Sequence, residues 1–441
     1  MSVRGFSHHT ILVLTWLTIC IGDAAGNRAR HPAEGLRVNP ARLEAGLLAL
    51  SEIGKTSQGG VSRPAFSEAD LEARRFVIGR MEEAGLMIRL DEAGNIIGRL
   101  ENANGMLPAL AAGSHLDSVP EGGRYDGALG VMAAIECCRT LKEHRVRMRH
   151  PLEVIVFIDE EGGLVGSRAM LGELDDRGLG VIAYGGKTVR EGIAAAGGNP
   201  EKIPTAARSK ADLAAYLELH IEQGNVLDAG KIRIGAVEGI VGISRWEAGI
   251  EGAANHAGTT PMDSRQDALL AAAHLITALN RIVTAIPGRQ VGTVGWIKAE
   301  PGAVNVIPGR VSMSLELRDL SAEKVASMFL EVEKEASLIG QQTKTRISFR
   351  QPDAPSAPAL LDPVIRRLIA DSAADLGLSC LEMPSGAGHD AQNMARLAPT
   401  GMIFIPSVSG ISHSPKEFSR PEDVEAGANV LLLTILKLDS R

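Results

Sequence analysis

The chain of 441 residues is too long for one ordinary domain, so two domains are expected. A hydrophobic content of 45% supports a substantial core, and 49 glycines with 3% aromatic residues fit an α/β protein with many tight turns. The net charge of −7 argues against nucleic acid or an anionic membrane surface as a partner.

Residues 1–25 have the layout of a secretory signal peptide, with Arg4, an apolar stretch over 11–22 and then Asp23-Ala24-Ala25. The stretch is too short to cross a bilayer, so no membrane span is expected from it. A signal peptide would make the protein periplasmic or secreted. The alternatives are a start codon placed too early or a disordered leader, and the protein would then be cytoplasmic.

In chain order, the next segment alternates between helical and strand patterns, which is typical of an α/β domain. The expected elements are a helical region over 40–85 with a polar loop at 56–63, strands over 87–90, 96–100 and 108–113, and a helix over 130–141.

The loop after the strand over 108–113 carries His115 and Asp126. Because open α/β sheets place ligands at the carboxyl ends of parallel strands, we expect both side chains to lie there. An imidazole and a carboxylate suit a divalent metal such as zinc or manganese. The alternative is a pair of polar residues on a glycine-rich surface loop.

An apolar strand predicted over 152–158 ends in Asp159-Glu160-Glu161. Buried unpaired carboxylates are costly, and a metal would explain three of them at a strand end. One can bind the metal while its neighbour takes a proton from water. The alternative is an acidic helix N-terminus, which the helix dipole favours. His220 lies in a further strand over 216–221, where a lone histidine is most often structural.

From residue 243 the pattern changes to β-α-β-β-α-β, the order of the ferredoxin-like split unit. The expected strands are 243–252, 291–299, 311–319 and 343–350, and the helices are 267–283 and 322–338. A Pro-rich linker over 351–358 follows, and α/β patterning then resumes, so the unit is expected to be an insertion. The last elements are helices over 363–376, 390–397 and 421–438 and strands over 378–383 and 401–406.

Six spaced motifs resemble, in order, those of the dinuclear metallo-aminoacylase and carboxypeptidase superfamily. Within it the chain is most similar to the hydantoinase/carbamoylase branch of N-carbamoyl-L-amino acid amidohydrolases, β-ureidopropionases and allantoate amidohydrolases. The motifs are 113–130, 159–163, 219–224, 255–262, 385–392 and 412–415. The resemblance covers nearly all of the chain from residue 40 to the end.

The resemblance implies two divalent metal ions per subunit, zinc or manganese, with cobalt or nickel as alternatives. It implies that Asp126 bridges the two ions. His115 and His220 would complete one site, and Glu161 and His413 the other.

The resemblance also assigns Glu160 as the general base that activates water. Peptidases of the superfamily commonly have a carboxylate where this chain has His220. That histidine, together with Gln223, is typical of the carbamoylase branch.

The implied fold is an α/β, mixed-sheet catalytic domain over 40–242 and 355–441, with an inserted ferredoxin-like α+β lid and dimerisation domain over 243–352. We expect a homodimer formed through the lid. By the resemblance, His256 of the lid helps to hold the developing oxyanion and reaches into the neighbouring subunit's site.

Asn305 and Arg318 match substrate-binding residues of the branch, and Gly388 is expected to lend backbone to the pocket. Arg318 lies on the polar face of its strand, where a solvated side chain is the alternative, although its planar fork suits a carboxylate. Ser244 stands where allantoate-type members tend to carry an arginine, which favours a monoureido acid. His389 and Asp390 are interpreted as structural residues.

These residues predict an amidohydrolase that cleaves the carbamoyl C–N bond of an N-carbamoyl amino acid or related ureido acid. One alternative is an aminoacylase or dipeptidase acting on N-acyl amino acids, against which His220 and Gln223 argue. The other is a non-catalytic, metal-stabilised binding protein, which would have no need of Glu160.

Overall fold

The computed structural model describes residues 35–101, 107–352 and 356–441. The signal-peptide prediction over 1–25 lies outside these residues.

The first part of the chain forms helices and strands close to the expected positions. They are α1 (Pro40–Ser51), α2 (Glu68–Ala84), β1 (Met87–Leu90), β2 (Ile96–Leu100), β3 (Ala109–His115), α3 (Ala128–Glu143) and β4 (Leu152–Phe157). Local signals explain the helix ends. The Ser67 side chain caps α2 by accepting a hydrogen bond from the Asp70 N–H, and Gly85 ends it in the left-handed region at φ 77°.

Most elements of the segment after β4 were not predicted from the sequence pattern. The segment contains four short helices, α4 (Glu160–Gly163), α5 (Val165–Met170), α6 (Asp176–Leu179) and α7 (Val189–Ala195), followed by β5 (Leu213–Ile221), α8 (Val226–Gly230) and β6 (Ile234–Ile240). Of these, only β5 was expected, over a shorter range.

The next segment builds a second sheet. Its elements are β7 (Gly242–Glu251), β8 (Asn255–His256), α9 (Ala268–Ala285), β9 (Val291–Thr293), β10 (Ile297–Glu300), β11 (Val306–Ile307), β12 (Arg310–Asp319), α10 (Ala322–Thr343) and β13 (Arg346–Arg350). The strand predicted over 291–299 is wrong as one strand. It is interrupted because the N–H groups of Gly295 and Trp296 donate to Ser314 Oγ instead of continuing the ladder.

The chain then returns to the first sheet. The last elements are β14 (Ala359–Leu360), α11 (Pro363–Asp375), β15 (Cys380–Ser385), α12 (Asp390–Leu397), β16 (Thr400–Ile405) and α13 (Pro421–Asp439).

The first sheet has nine strands in the order β1-β2-β4-β3-β5-β16-β6-β14, with β15 also paired to β6. Its centre, β4-β3-β5-β16, is parallel, and antiparallel pairs flank it. The predicted mixed-sheet α/β fold is therefore confirmed.

Helices cover both faces of the first sheet. Along β3, Leu110 and Ala112 belong to a core that includes residues of α1, α2, α3, α11 and α13. Ala109 and Ala111 belong to a second core with residues of α5, α8 and α12. A parallel strand buried on both faces needs a nearly continuous apolar sequence, as β3 has.

The second sheet has the order β10-β12-β7-β13, with β9 also paired to β12. Its neighbouring strands are antiparallel. Helices α9 and α10 pack on one face, where Trp246 stacks on Phe329 with a centroid distance of 3.9 Å. The opposite face of β12 carries Ser312, Ser314, Glu316 and Arg318. Among the described helices, α9 alone is long and apolar enough to span a membrane, but its buried side packs on this sheet.

Candidate metal centre

Four neighbouring strands bring the predicted ligands to one edge of the first sheet. His115 is the last residue of β3, and Glu160 and Glu161 begin the short helix after β4. His220 lies near the end of β5, and His413 lies in the loop after β16. Because β4, β3, β5 and β16 are parallel, their carboxyl ends meet here.

Asp126, in the loop between β3 and α3, lies between two groups of ligands. Its Oδ1 is 3.1 Å from His220 Nε2 and 3.6 Å from His115 Nε2. Its Oδ2 is 3.2 Å from His413 Nε2, which is 3.7 Å from Glu161 Oε1. In each group the ligand atoms lie within 4.8 Å of one another. Each Asp126 oxygen thus faces a different set, as a bridging carboxylate would.

Backbone carbonyls orient the two buried histidines. Nδ1 of His115 lies 3.0 Å from the Asp117 carbonyl, and Nδ1 of His220 lies 2.9 Å from the Ile221 carbonyl. A carbonyl can only accept, so each Nδ1 carries a proton, and in the neutral form of each ring the lone pair lies on Nε2, the nitrogen that faces Asp126 and could bind a metal. The Gly127 N–H already donates to His220 Nε2 at 3.2 Å.

Gly127 also allows the helix to start close to His115. Its φ is 64°, and a Cβ there would lie 2.4 Å from the His115 ring. Only glycine tolerates both conditions.

The buried carboxylates fit divalent cations. Glu161 Oε1 is buried without a hydrogen-bond partner in the described structure. Burial, followed by the charge of Asp126, raises the pKa of Glu161 to about 7. A bound cation would compensate both effects, and histidine nitrogens with carboxylate oxygens suit zinc or manganese.

Glu160 lies beside the first group, with its Oε2 3.7 Å from His115 Nε2. Burial raises its pKa well above the usual range, and the charges of Asp390, Glu161 and Asp117 act in the same direction. Glu160 is therefore close to the ligands, and its surroundings favour the protonated carboxyl group. A residue that accepts a proton and later returns it needs such a raised pKa.

Two carboxylates that the sequence analysis did not single out hold the ligand loops. Asp117 accepts the N–H groups of Glu160 at 3.3 Å and Glu161 at 3.1 Å. Glu417 accepts the Asp126 N–H at 3.2 Å through Oε1 and the Ser412 hydroxyl at 2.8 Å through Oε2. The position of Asp117 two residues after His115 was the one available sequence signal.

A third missed carboxylate, Glu218, lies beneath His220. It accepts hydrogen bonds from the Ser114 hydroxyl and the Ala391 N–H. His389, whose Nε2 contacts Ser385 Oγ at 2.9 Å, packs edge-on against His220. Glu218, His220 and His389 also form a group with possible ligand atoms.

The predicted substrate residues fall into three places. Gln223 is at the metal cluster, where its side-chain amide donates to Asp126 Oδ2 at 2.8 Å. Arg318 Nη1 donates to the Gly386 carbonyl at 2.7 Å, so it lies beside the loop that contains Gly388. Asn305 pairs with the β8 region, where its carbonyl accepts the Ala257 N–H.

His256 is exposed on β8 of the second sheet's segment. Its Nδ1 accepts the N–H groups of Gly258 at 3.0 Å and Thr259 at 3.2 Å. A neutral ring held this way carries its proton on Nε2, which is then a hydrogen-bond donor. Within the described ranges, no hydrogen bond or ion pair joins His256 or Asn305 to the five predicted ligands.

The register of β7 and β12 shows on which face of the second sheet Ser244 lies. Ser244 pairs with Leu317, which is buried in the helix-facing core, whereas Arg245 pairs with Glu316. Directly paired residues share a face, so Ser244 lies on the face opposite Arg318. Ser244 therefore does not share a face with Arg318, and its position gives no structural reason to favour a monoureido acid.

A mixed α/β sheet with two ligand groups sharing Asp126, beside the buried Glu160, is the arrangement of a metal-dependent hydrolase. The profile of peptidase family M20/M25/M40 matches residues 111–437, and the chain belongs to this family.

Comparison with individual proteins specifies the class of hydrolase further. The chain is 41% identical over 402 residues to the N-carbamoyl-L-amino acid amidohydrolase of Geobacillus stearothermophilus, covering 90% of this chain and 98% of that protein. It is 33% identical over 395 residues to the allantoate amidohydrolase of Bacillus subtilis (strain 168), covering 88% and 95%. A crystal structure of an amidase of the hydantoinase/carbamoylase family from Burkholderia multivorans matches with a TM-score of 0.87 at 34% identity, covering 92% and 99%. The predicted resemblance is confirmed, and the chain is an amidohydrolase.

Proposed function

We propose that the protein hydrolyses the carbamoyl C–N bond of an N-carbamoyl amino acid and releases amine, ammonia and carbon dioxide. The names of its relatives support the ureido substrate. The observation that carries the proposal is the placement of Asp126, whose two oxygens face two separate ligand groups beside Glu160.

Two divalent ions per subunit, zinc or manganese, would be held by His115 and His220 on one side of Asp126 and by Glu161 and His413 on the other. Cobalt or nickel are alternatives. When bound, such ions lower the pKa of water and polarise a carbonyl.

The side chains of the protein then have distinct tasks. Glu160 takes a proton from the attacking water and returns it to the leaving nitrogen. His256 donates from Nε2 to the oxyanion. The carbamate that remains breaks down to carbon dioxide and amine or ammonia.

Binding of the substrate is assigned to four residues. Arg318 pairs with the substrate carboxylate, and the Gly388 backbone lines the pocket next to it. Asn305 contacts the substrate from the lid, and Gln223 orients it at the metal centre. Residues 243–352 act as the lid and the dimerisation domain on a catalytic domain of 40–242 and 355–441.

A substrate panel tests the proposal. N-carbamoyl amino acids, allantoate, ureidoglycolate and N-acyl amino acids should be assayed with zinc, manganese and cobalt. We expect an N-carbamoyl amino acid to be cleaved fastest. Faster cleavage of N-acyl amino acids or dipeptides would replace the proposal with an aminoacylase.

The role of Arg318 has its own test. Arg318→Ala should lower kcat/KM on carboxylated substrates by about 10²-fold or more, because a charged hydrogen-bonded contact is lost. A carbamoyl amide without the carboxylate should be a poor substrate that the change hardly affects. Equal losses on both substrates would contradict this role.

A further inference from the structure

The guanidinium of Arg318 is held on two sides before any substrate arrives. Its Nε–H donates to Glu316 Oε1 at 2.7 Å, two residues earlier on the same strand. Its Nη1 donates to the Gly386 carbonyl at 2.7 Å, across from the second sheet to the loop after β15. The other Nη1 hydrogen and both Nη2 hydrogens have no partner among the described residues, so the end of the fork remains available.

Glu316 is shared between two arginines. Its second oxygen, Oε2, accepts the Nε–H of Arg245 at 2.7 Å. Arg245 lies directly opposite Glu316 in the register of β7 and β12, so all three side chains project from one face. The Arg318 and Glu316 side chains are 27% and 22% exposed, whereas Arg245 is 53% exposed.

This sharing holds Glu316 in its ionised form. Burial alone would raise the pKa of Glu316, but hydrogen bonds from Arg318 and Arg245 outweigh burial and lower it. The cluster of Arg245, Glu316 and Arg318 keeps one net positive charge, which a single carboxylate can neutralise.

A free arginine side chain has many rotamers and loses that freedom when it binds a ligand. Contacts that already restrict the guanidinium reduce this loss, which strengthens binding without adding a contact to the ligand.

We propose that Glu316 is the positioning residue that orients Arg318 for the substrate carboxylate. This inference rests on the proposed carboxylate-binding role of Arg318. Glu316 itself does not touch the substrate, so its effect is on binding and not on the chemical step.

Glu316→Asp tests the proposal, because it keeps the negative charge but shortens the reach by one carbon. We expect KM for an N-carbamoyl amino acid to rise about tenfold, the effect of one charge-assisted hydrogen bond, with kcat within about twofold of wild type. A carbamoyl amide without a carboxylate should show unchanged kinetics. The matched control is Glu247→Asp, since Glu247 pairs with Arg350 on the same sheet.

A spectroscopic readout makes the test independent of the substrate. The Nε–H of Arg318, assigned by its loss in Arg318→Lys, should give a protected ¹⁵N–¹H signal at mildly alkaline pH. Glu316→Asp should abolish this signal, and Glu247→Asp should leave it. A signal that survives Glu316→Asp would overturn the proposal.

Two further outcomes distinguish a failure of this inference from a failure of the proposed carboxylate-binding role of Arg318. If the signal is lost and Arg318→Ala raises KM, but Glu316→Asp leaves KM unchanged, Glu316 does not position Arg318 for binding and the inference fails alone. If Arg318→Ala itself leaves KM unchanged, the carboxylate-binding role of Arg318 fails and the inference fails with it.

Discussion

Asp126 is ionised in spite of its burial. Burial alone would raise its pKa, but the neighbouring imidazole rings of His115, His220 and His413 outweigh burial and lower it well below the usual range. The ionised form of the Asp126 carboxyl group is therefore favoured. An ionised carboxylate between two histidine-containing groups is suited to bridge two cations.

Substitutions at Glu160 and at Asp126 should have different effects, the first on turnover and the second on metal binding. Glu160→Gln keeps the shape but cannot take a proton, so kcat should fall by ~10²–10⁴-fold. Its metal content, measured by elemental analysis, should stay near that of wild type. Asp126→Ala should lose both metals. Wild-type turnover by Glu160→Gln would contradict its role as the base.

At the residue scale, the sequence indicated the metal ligands better than the carboxylates that hold the ligands in place. His115 and Glu161 follow apolar strands, so their place at the sheet edge could be inferred. Asp117 and Glu218 were missed because a carboxylate shows its function only through the groups that face it in space. His220 needed the family resemblance, since a histidine in a strand is no signal by itself.

At the scale of elements, Arg63 connects the loop between α1 and α2 with the metal loop. Its Nε donates to the Leu116 carbonyl at 2.6 Å, and its Nη1 donates to the carbonyls of Leu50 and Ile53. Burial lowers the pKa of Arg63 to about 10, so it is still charged at neutral pH. The residue after His115 is thus anchored to the end of α1.

Removal of this buried arginine should destabilise the part of the fold that surrounds the first sheet. Arg63→Met fills much of the space but leaves three carbonyls without their donor, which should cost about 3 kcal/mol. The urea midpoint measures the loss, and metal content should fall as the His115 loop loosens. Arg75→Met, at an exposed position on α2, is the control and should match wild type. Equal midpoints for both variants would contradict the anchoring role.

Long apolar stretches predicted the long elements, because the strands β3 and β4 are buried at every position and the helices α3 and α13 at most positions. β6 was missed because glycines at 235 and 239 weaken its strand pattern. The short helices after β4 were missed because one or two turns carry too few residues for a 3.6-residue period to show.

At the scale of the whole molecule, metal should link stability to pH. In the metal-free protein the pKa of Glu161 is about 7, above the usual 4.5, and that of His413 is about 9, above 6.5. The folded state then binds more protons than the unfolded state between pH 4.5 and 9. Metal-free stability from these groups is therefore present at low pH and declines as pH rises through this window.

Chelation should thus lower Tm more at high pH than at low pH. Bound cations favour the ionised form of Glu161 and the neutral form of His413. The stability of the metal-loaded protein should therefore not fall in this way as pH rises. Comparing metal-loaded and chelated samples at each pH cancels the contributions to Tm of titratable groups away from the site. A Tm difference that shrinks as pH rises from 4.5 to 9 would contradict this expectation.

The segment that forms the second sheet exposes several large apolar side chains. They include Leu269, Leu270, Trp296, Ile297 and Val304. Apolar surface of this kind marks sites of protein association. These side chains support the proposal that the lid pairs two subunits, in which case His256 could act on the partner's metal centre.

Mixed dimers test this arrangement. His256→Ala and Glu160→Gln should each be inactive as homodimers. If His256 acts across the interface, a mixed dimer has one site with an intact Glu160 from one chain and an intact His256 from the other. Random pairing of equal amounts, by co-expression with two tags, should restore about a quarter of wild-type activity.

The control mixes wild type with a chain that carries both changes. If His256 acts across the interface, every mixed dimer in this sample lacks a complete site, and only about a quarter of the sites work. If His256 acts within its own chain, each wild-type chain stays active and about half of the sites work. Purified mixed dimers that are inactive in the first experiment and half active in the second would place His256 in its own subunit's site.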